Sequence, residues 1–414
     1  MRFDMEFNKS LSDAIADVSK KVAEWDASNQ PDNTEKLEMA KRIVSFDHCT
    51  SSEHFTVAAV DSTGDYPSVN YNDSFVHASF SQAVVYETSA TYGLRETEAV
   101  PTNFGFCWMP DGKSIAENNL KSVFAKLSIG SLALPDTQTE SVLRDVIKKS
   151  DYLSLKKKLK QQSISVDETL AELILPKQFD TSNIAIQLNS VAKLGGMYQL
   201  LLTDLSPDIF LLNTTLVLPT FGDDRKSSLF FEHLKRACCV LAKEKSAALC
   251  ALSKSHGVKC IDEIEIAAAH SQGLVRGQVA EHWYLRLPIS EEDEWCFSLS
   301  NASFPHPPGA VTYLIRFHKN MPVMRVDLDF SYWIANIKAE TVEKTRANEK
   351  ALFSKLDYTC HDQRSLGYPY PLRACQERVS LTQTERDVLK KQITAAVKND
   401  IEHHAFKGSS SSSR

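Results

Sequence analysis

The sequence has few of the features that mark membrane, secreted or disulfide-bonded proteins. No apolar run approaches the roughly 20 residues that cross a bilayer, and the N-terminal stretch MRFDMEFNKS lacks the hydrophobic segment of a signal peptide. The nine cysteines are odd in number and form no C-x-x-C pair, so neither a disulfide framework nor a cysteine-based zinc site is expected. We therefore expect a cytoplasmic protein with no membrane role, whose cysteines are mostly small buried hydrophobic residues.

The motifs of several enzyme classes are also missing. There is no Walker A motif, no G-x-G-x-x-G and no H-E-x-x-H, so nucleotide hydrolysis would have to come from a partner. The absence of G-x-S-x-G leaves little support for an α/β hydrolase. A net charge of −6 does not indicate a nucleic-acid-binding protein, although a local basic channel can lie within an acidic chain. The run at 148–162, which has six lysines, predicts either a solvated helix face or a surface for DNA or a partner.

The hydrophobic pattern predicts an α/β fold built on a mixed sheet. Helical periodicity at 9–28 is followed by a second helix at about 34–44, and strand-like and helical patterns then alternate through the middle of the chain. Segments that pattern as antiparallel strands flank this alternation. We expect four parts: an N-terminal helical segment (1–45), a core (46–380) with a helical, lysine-rich insertion (about 115–180), a C-terminal helix (381–405) and a disordered tail (406–414).

Three polar residues each follow an apolar strand, namely Asp61, Asn213 and Lys254. Functional residues of α/β sheets collect at such strand ends. Asp61 is the best single candidate, because a carboxylate held at the end of a rigid strand can bind a divalent cation. Taken alone, Asp61 is better explained as a turn residue that caps its own backbone, and Lys254 could equally be a solvated lysine.

The segment LGYPYPLRACQERV (366–379) forms an unusual elbow before a helix. Its two prolines fix φ and remove two backbone donors, so the first part is neither a helix interior nor a central strand. Leu372, Cys375 and Val379 then follow at helical spacing.

Five segments carry a family resemblance in chain order: the strand ending at Asp61, the LLNTTLV strand, ALSKSH, MPVMRVDLD and the elbow. Together they resemble the NurA nuclease family over about residues 54–380. The resemblance implies an RNase H-like mixed sheet flanked by helices, a homodimer, and Mn²⁺- or Mg²⁺-dependent cleavage of DNA. It also implies a partnership with HerA, a hexameric ATPase that translocates DNA. Asp61 matches the family's first metal-binding aspartate, and Tyr368 matches an active-site tyrosine that the elbow would hold beside the metal.

The sequence departs from the family pattern at several site positions. Asn213 stands where the resemblance implies a second metal-binding aspartate, and Gln376 stands where it implies a histidine. The family's glutamate, on the helix before the second strand, has no identifiable counterpart. These changes predict weak or absent metal binding unless another nearby acid substitutes; the candidates are Glu87, Asp208, Asp223, Asp224 and Glu377.

Two functions therefore stay open. The first is a NurA-like Mn²⁺- or Mg²⁺-dependent deoxyribonuclease that acts with a HerA-type ATPase in DNA end processing, repair or anti-phage defence. Its site would consist of Asp61, Asn213, Tyr368 and Gln376, with Lys254 contacting DNA. The alternative is a catalytically degenerate NurA-like adaptor that docks the ATPase and clamps DNA.

Overall fold

A computed structural model describes most of the chain. The described residues are 5–27, 40–49, 54–64, 67–71, 74–89, 93–110, 113–158, 165–167, 181–217, 229–254, 256, 261–275, 277–287 and 309–410.

The described strands form one eleven-stranded mixed sheet. The strands are β1 (Val44–Ser45), β2 (Thr56–Thr63), β3 (Pro67–Asn70), β4 (Ser74–Ser89), β5 (Gly93–Ala99), β6 (Asn103–Pro110), β7 (Ile209–Leu212), β8 (Ala248–Ser253), β9 (Trp283–Arg286), β10 (Ala310–Arg316) and β11 (Met324–Asp329). Their spatial order is β1-β9-β10-β11-β8-β7-β2-β4-β3, and β5 and β6 both pair with β4.

Helices cover both faces of the sheet and extend from both ends of the described chain. Those of seven or more residues are α1 (Met5–Ala27), α2 (Lys113–Ile129), α3 (Thr139–Lys149), α4 (Tyr152–Lys158), α5 (Thr181–Leu202), α6 (Leu229–Glu244), α7 (Ile261–Ser271), α8 (Val342–Thr359), α9 (Tyr370–Val379) and α10 (Gln383–Ser410). The prediction of a mixed α/β sheet flanked by helices is confirmed, as is the helical character of the insertion through α2, α3 and α4. No helix in these described ranges has the length and apolar character needed to span a membrane.

Three neighbouring parallel strands form the centre of the sheet. β7 lies between β2 and β8 and pairs in parallel with both, whereas β4 and β11 continue the sheet in antiparallel orientation on either side. Parallel strands need a crossover connection, and α6 supplies it between β7 and β8. Val60 of β2 aligns with Leu212 of β7, which aligns with Ala251 of β8, so the carboxyl ends of all three strands lie at one edge.

Alternating side chains of β2 enter two different hydrophobic cores. Ala58 and Val60 pack with α2, α5 and α6 on one face of the sheet. Val57 and Ala59 pack on the other face with α8, α9 and the elbow. Because side chains alternate along a strand, Asp61 belongs to the face that the elbow covers.

The two ends of the chain differ in how closely they match the sequence predictions. α1 agrees with the predicted first helix, whereas most of the second predicted helix (34–44) lies outside the described residues. α10 continues to Ser410, so its last turn reaches into the segment predicted as a disordered tail.

Candidate functional site at the ends of three parallel strands

Asp61 lies almost fully buried at the edge of the sheet. Both of its carboxylate oxygens contact polar groups of other described residues. Oδ1 accepts a hydrogen bond from the Ser62 backbone N–H at 2.8 Å and lies 3.0 Å from Nζ of Lys193. Oδ2 accepts a hydrogen bond from Nδ2 of Asn213 at 3.2 Å. The side-chain exposures of Asp61 and Lys193 are 4% and 14%, so this is a largely desolvated ion pair.

Lys193 also binds the neighbouring strand end. Its ammonium donates to the backbone carbonyl of Asn213 at 2.7 Å, which ties the chain just beyond β7 to the carboxylate at the end of β2. One turn earlier on the same helix, Asn189 accepts a hydrogen bond from Ser62 Oγ through its side-chain Oδ1 at 2.6 Å. The i, i+4 spacing places Asn189 and Lys193 on one face of α5, directed at the strand end.

A glycine explains why α5 can approach the strand so closely. A Cβ atom added to Gly196 would lie 2.8 Å from Ser81 Oγ and 3.1 Å from Val60 Cγ1. A larger residue would therefore crowd the Ser81 and Val60 side chains of β4 and β2, so that either these side chains or the helix would have to shift. The close packing brings the long Lys193 side chain within reach of Asp61.

The elbow depends on a second glycine in a conformation that other residues rarely adopt. Gly367 has φ +83°, and a Cβ there would lie 2.6 Å from Met321 Cγ and 2.7 Å from His318 Cβ. The Gly367 N–H donates to the Cys360 carbonyl at 2.7 Å. Helix α9 then begins at Tyr370 with Pro371 in its first turn, where a missing N–H costs nothing. Both prolines therefore start the helix sharply, as the sequence indicated.

The elbow places Tyr368 and the following helix against the end of β2. Cys375 of α9 donates from its thiol to the Ala59 carbonyl at 3.1 Å, two residues before Asp61. Burial, and then the nearby Asp61 carboxylate, raise the pKa of the Tyr368 phenol. The structure thus brings Tyr368 into the electrostatic surroundings of Asp61 despite their separation in the sequence.

Lys254 completes the cluster from the end of β8. Its ammonium lies 3.7 Å from the centroid of the Tyr368 ring, which is the geometry of a cation–π interaction. Partial burial of its ammonium, and then repulsion from Arg373 of α9, lower the pKa of Lys254, while Asp61 acts in the opposite direction. Four residues that were singled out from the sequence therefore lie in one region: Asp61, Asn213, Lys254 and Tyr368.

Gln376 is placed differently from these four residues. It is exposed on α9, whereas its neighbour Cys375 is the residue of that turn that points to β2. Within the described ranges, no contact between the Gln376 side chain and the Asp61 network is present.

The residues around Asp61 do not fit a divalent cation. Asp61 belongs to no group of three or more histidine, cysteine, aspartate or glutamate ligands in the described part of the chain. Its carboxylate faces an ammonium and an amide N–H, which are donors, whereas Mg²⁺ and Mn²⁺ require several oxygen ligands. The helix from which the resemblance implies a glutamate supplies a lysine instead.

The acids considered as substitutes lie elsewhere or outside the described residues. Glu87 pairs in register with Thr56, and Asp208 accepts a hydrogen bond from the Thr56 backbone, so both lie at the opposite end of β2. Glu377 forms an exposed ion pair with Arg373 at 2.7 Å. Asp223 and Asp224 lie outside the described ranges.

Asp327 lies in MPVMRVDLD, one of the segments that carried the resemblance, and its contacts serve the fold. It is fully buried and accepts hydrogen bonds from Leu216 N at 3.0 Å, Thr312 Oγ1 at 2.8 Å and Arg325 Nε at 2.8 Å. Asp327 and Arg325 therefore form an ion pair. These contacts fasten the segment that follows Asn213 to β11.

Sequence reasoning missed Lys193, the residue that determines the character of the site. A signal for it was present, because Lys193 is the only charged residue in the apolar helix TSNIAIQLNSVAKLGGMYQLLL. A lone cation in a helix that is otherwise suited to burial needs a buried partner.

No protein-family model and no curated protein matches the sequence. Among solved structures, the chain is similar to the NurA nuclease from Sulfolobus solfataricus, with 13% identity, a TM-score of 0.46 and coverage of 97% of this chain and 99% of that one. It is also similar to a structure of NurA with manganese, with 11% identity, a TM-score of 0.39 and coverage of 92% and 98%. A third structure, of NurA bound to dAMP and manganese, has 11% identity, a TM-score of 0.33 and coverage of 90% and 93%. All three carry the name of the family that the sequence motifs resemble.

Proposed function

We propose that this protein is a NurA-like subunit that binds DNA without cutting it and works beside a HerA-type ATPase in DNA end processing, repair or anti-phage defence. The observation that carries the proposal is the Lys193–Asp61 ion pair at 3.0 Å. The lysine ammonium neutralises the one carboxylate on which a metal site would depend. This geometry favours the adaptor over the metal-dependent nuclease.

The charge balance of the site favours phosphate rather than a metal ion. Lys193 neutralises Asp61, and Lys254 is an exposed cation at the same sheet edge. Arg373 lies close enough to lower the pKa of Lys254, although its own charge is partly balanced by Glu377. A region with an uncompensated cation attracts the phosphodiester backbone, which dominates the affinity of DNA-binding proteins.

Helix α1 supplies a surface suited to a protein partner. Leu11, Ile15, Val18 and Val22 recur at spacings of four, three and four residues and are 43–61% exposed. Such a stripe is the kind of apolar seam that a partner helix covers. We propose that it contacts either the second subunit of a homodimer or the ATPase.

The proposal is tested by measuring DNA binding and cleavage separately. We expect fluorescence anisotropy to detect binding of linear DNA in the presence of EDTA, because lysine and arginine contacts to phosphate need no metal. We expect no cleavage of the same DNA with Mn²⁺, with or without the ATPase. Cleavage that requires Mn²⁺ and is lost in Asp61→Ala would establish the nuclease instead.

A further inference from the structure

A second cluster of polar residues lies apart from the Asp61 network, on the chain segments that lead into the elbow. His48, His282, Asp357 and His361 each offer one ligand-type atom, and these four atoms lie within 4.8 Å of one another. The residues come from three separate parts of the chain: the segment after β1, the residue before β9 and the end of α8. Asp357 and His361 are four residues apart, which places both on one side of the helix end.

Three imidazoles surround one fully buried carboxylate. Oδ2 of Asp357 lies 3.0 Å from Nδ1 of His48 and 3.0 Å from Nε2 of His361, while Oδ1 lies 3.5 Å from Nε2 of His282. The His48 and His361 rings are also close, with 3.6 Å between their centroids. Three protonated imidazoles this close would repel one another, whereas a neutral imidazole has one ring N–H to donate and keeps a lone pair on its other nitrogen for a metal ion.

Hydrogen bonding does not fully satisfy the cluster. Oδ1 of Asp357 and the Nε2 atoms of His282 and His361 are buried and have no hydrogen-bond partner. Buried polar atoms in native proteins nearly always have a partner, so three such atoms facing one point indicate a missing ligand.

The surrounding structure holds these side chains in place. The Cys49 backbone N–H donates to Oδ2 of Asp357 at 2.8 Å, and the Phe46 N–H donates to the His282 carbonyl at 2.9 Å. His282 adopts φ +56°, a left-handed conformation that is uncommon for a residue other than glycine. Residues in such conformations are concentrated at functional sites, where surrounding contacts maintain them.

We propose that His48, His282, Asp357 and His361 form a zinc site. Three imidazole nitrogens and one carboxylate oxygen are a donor set that zinc accepts, and four protein ligands are typical of a structural rather than a catalytic zinc ion. With zinc–ligand bonds of about 2.0–2.2 Å, the ligand atoms of a tetrahedral site lie about 3.4 Å apart. The distances between Asp357 and the three imidazoles, 3.0, 3.0 and 3.5 Å, are close to that value. The site is independent of the Asp61 network and of the function proposed for it.

The ion would link the N-terminal part of the core to the start of the elbow. His361 is in the segment that leads to Gly367 and Tyr368, and the Gly367 N–H is already fixed to the carbonyl of Cys360, the neighbour of His361. Zinc would thereby stabilise the approach to the elbow, which positions Tyr368 next to Lys254. It would act as a cross-link between segments that are distant in the sequence.

The test is the metal content of the purified full-length chain. We expect elemental analysis after dialysis against dilute zinc to find one zinc ion per chain, and Co²⁺ to give the visible d–d absorption of a tetrahedral site. His361→Ala and His282→Ala should each lose the bound metal. His270→Ala, which changes an exposed histidine outside the cluster, should retain it.

A second measurement covers the case in which the variants fold poorly. A competition titration of the unmodified chain with a chromophoric zinc chelator needs no variant and should show one tight site, and chelation should lower the melting temperature. The proposal is overturned if the unmodified chain binds no zinc in this titration. It is also overturned if His361→Ala, shown by circular dichroism to be folded, binds zinc as tightly as His270→Ala.

Discussion

Nζ of Lys193 lies 3.0 Å from Oδ1 of Asp61, and the same ammonium donates to the Asn213 carbonyl at 2.7 Å. A single lysine therefore joins the ends of two parallel strands at the point where the family resemblance implies a metal ion. The ammonium can perform the structural role of such an ion, because it neutralises the carboxylate and holds the strand ends together. It cannot activate water or stabilise a leaving oxygen as a divalent metal does.

We expect Lys193→Met to destabilise the protein strongly. The substitution keeps the length of the side chain but leaves the Asp61 carboxylate buried without its counter-ion, which typically costs about 3–5 kcal/mol. Urea unfolding would measure the loss. The control is Lys21→Met, which removes an ion pair to Asp17 whose side chains are 72% and 59% exposed and should cost less than about 1 kcal/mol. Equal effects of the two substitutions would show that the buried pair is not a stabilising element.

We expect Lys254→Gln to weaken DNA binding without changing the fold. The side chain is exposed at the sheet edge, so the main loss is one phosphate contact. The slope of log affinity against log salt concentration should become shallower by about one unit, which corresponds to the loss of one phosphate contact. Lys350→Gln, which removes an exposed lysine of α8, is the matched control and should leave the slope unchanged. Identical salt slopes for both variants and the parent would show that Lys254 does not contact the DNA.

We expect the apolar stripe of α1 to be needed for assembly but not for folding. Ile15→Ser combined with Val18→Ser should reduce the mass measured by light scattering, or reduce capture of the ATPase, because both side chains are exposed within the chain. Asp13→Ser with Lys20→Ser changes the opposite side of the same helix and should have no effect. Unchanged mass and unchanged capture in the Ile15/Val18 variant would show that the stripe has no partner in these assemblies.

Much of the fold could be predicted because its signals are local. The apolar runs before Asp61, Asn213 and Lys254 are strands, and their carboxyl ends meet at one edge because the strands are parallel. The two prolines of the elbow likewise act on their immediate neighbours. A single sequence therefore contained the positions of these elements and the approximate location of the site.

The chemistry of the site could not be predicted in the same way, because it depends on partners distant in the sequence. The amide of Asn213 could have offered its oxygen to a metal, but beside Lys193 it donates an N–H to Asp61. The cluster around His361 likewise exists only in the fold, which brings His48 and His282 next to it. No spacing pattern links these three histidines, since they come from separate segments.

We expect a pH dependence of stability from His77, a fully buried histidine of β4 with no hydrogen-bond partner at either ring nitrogen. Burial lowers its pKa from 6.5 to about 4. The unfolded chain therefore binds a proton that the folded chain does not, so stability should decrease as the pH falls from 6.5 towards 4, by about 3 kcal/mol in total. Urea unfolding of the parent and of His77→Leu across this range would measure it.

His270→Leu, which removes an exposed histidine, should keep the full pH dependence of the parent. If His77→Leu loses as much stability as the parent between these pH values, other groups cause the effect.

The central claim is that a lysine occupies the position of a metal ion at Asp61, and Mn²⁺ binding tests it most directly. Electron paramagnetic resonance would follow a Mn²⁺ titration of chains carrying His361→Ala, so that the histidine cluster does not contribute. We expect no saturable binding in this background, and binding after Lys193→Glu and Asn213→Asp are added, since these supply two carboxylates beside Asp61. Saturable binding that is already present without these two substitutions, and that is lost on adding Asp61→Ala, would contradict the claim.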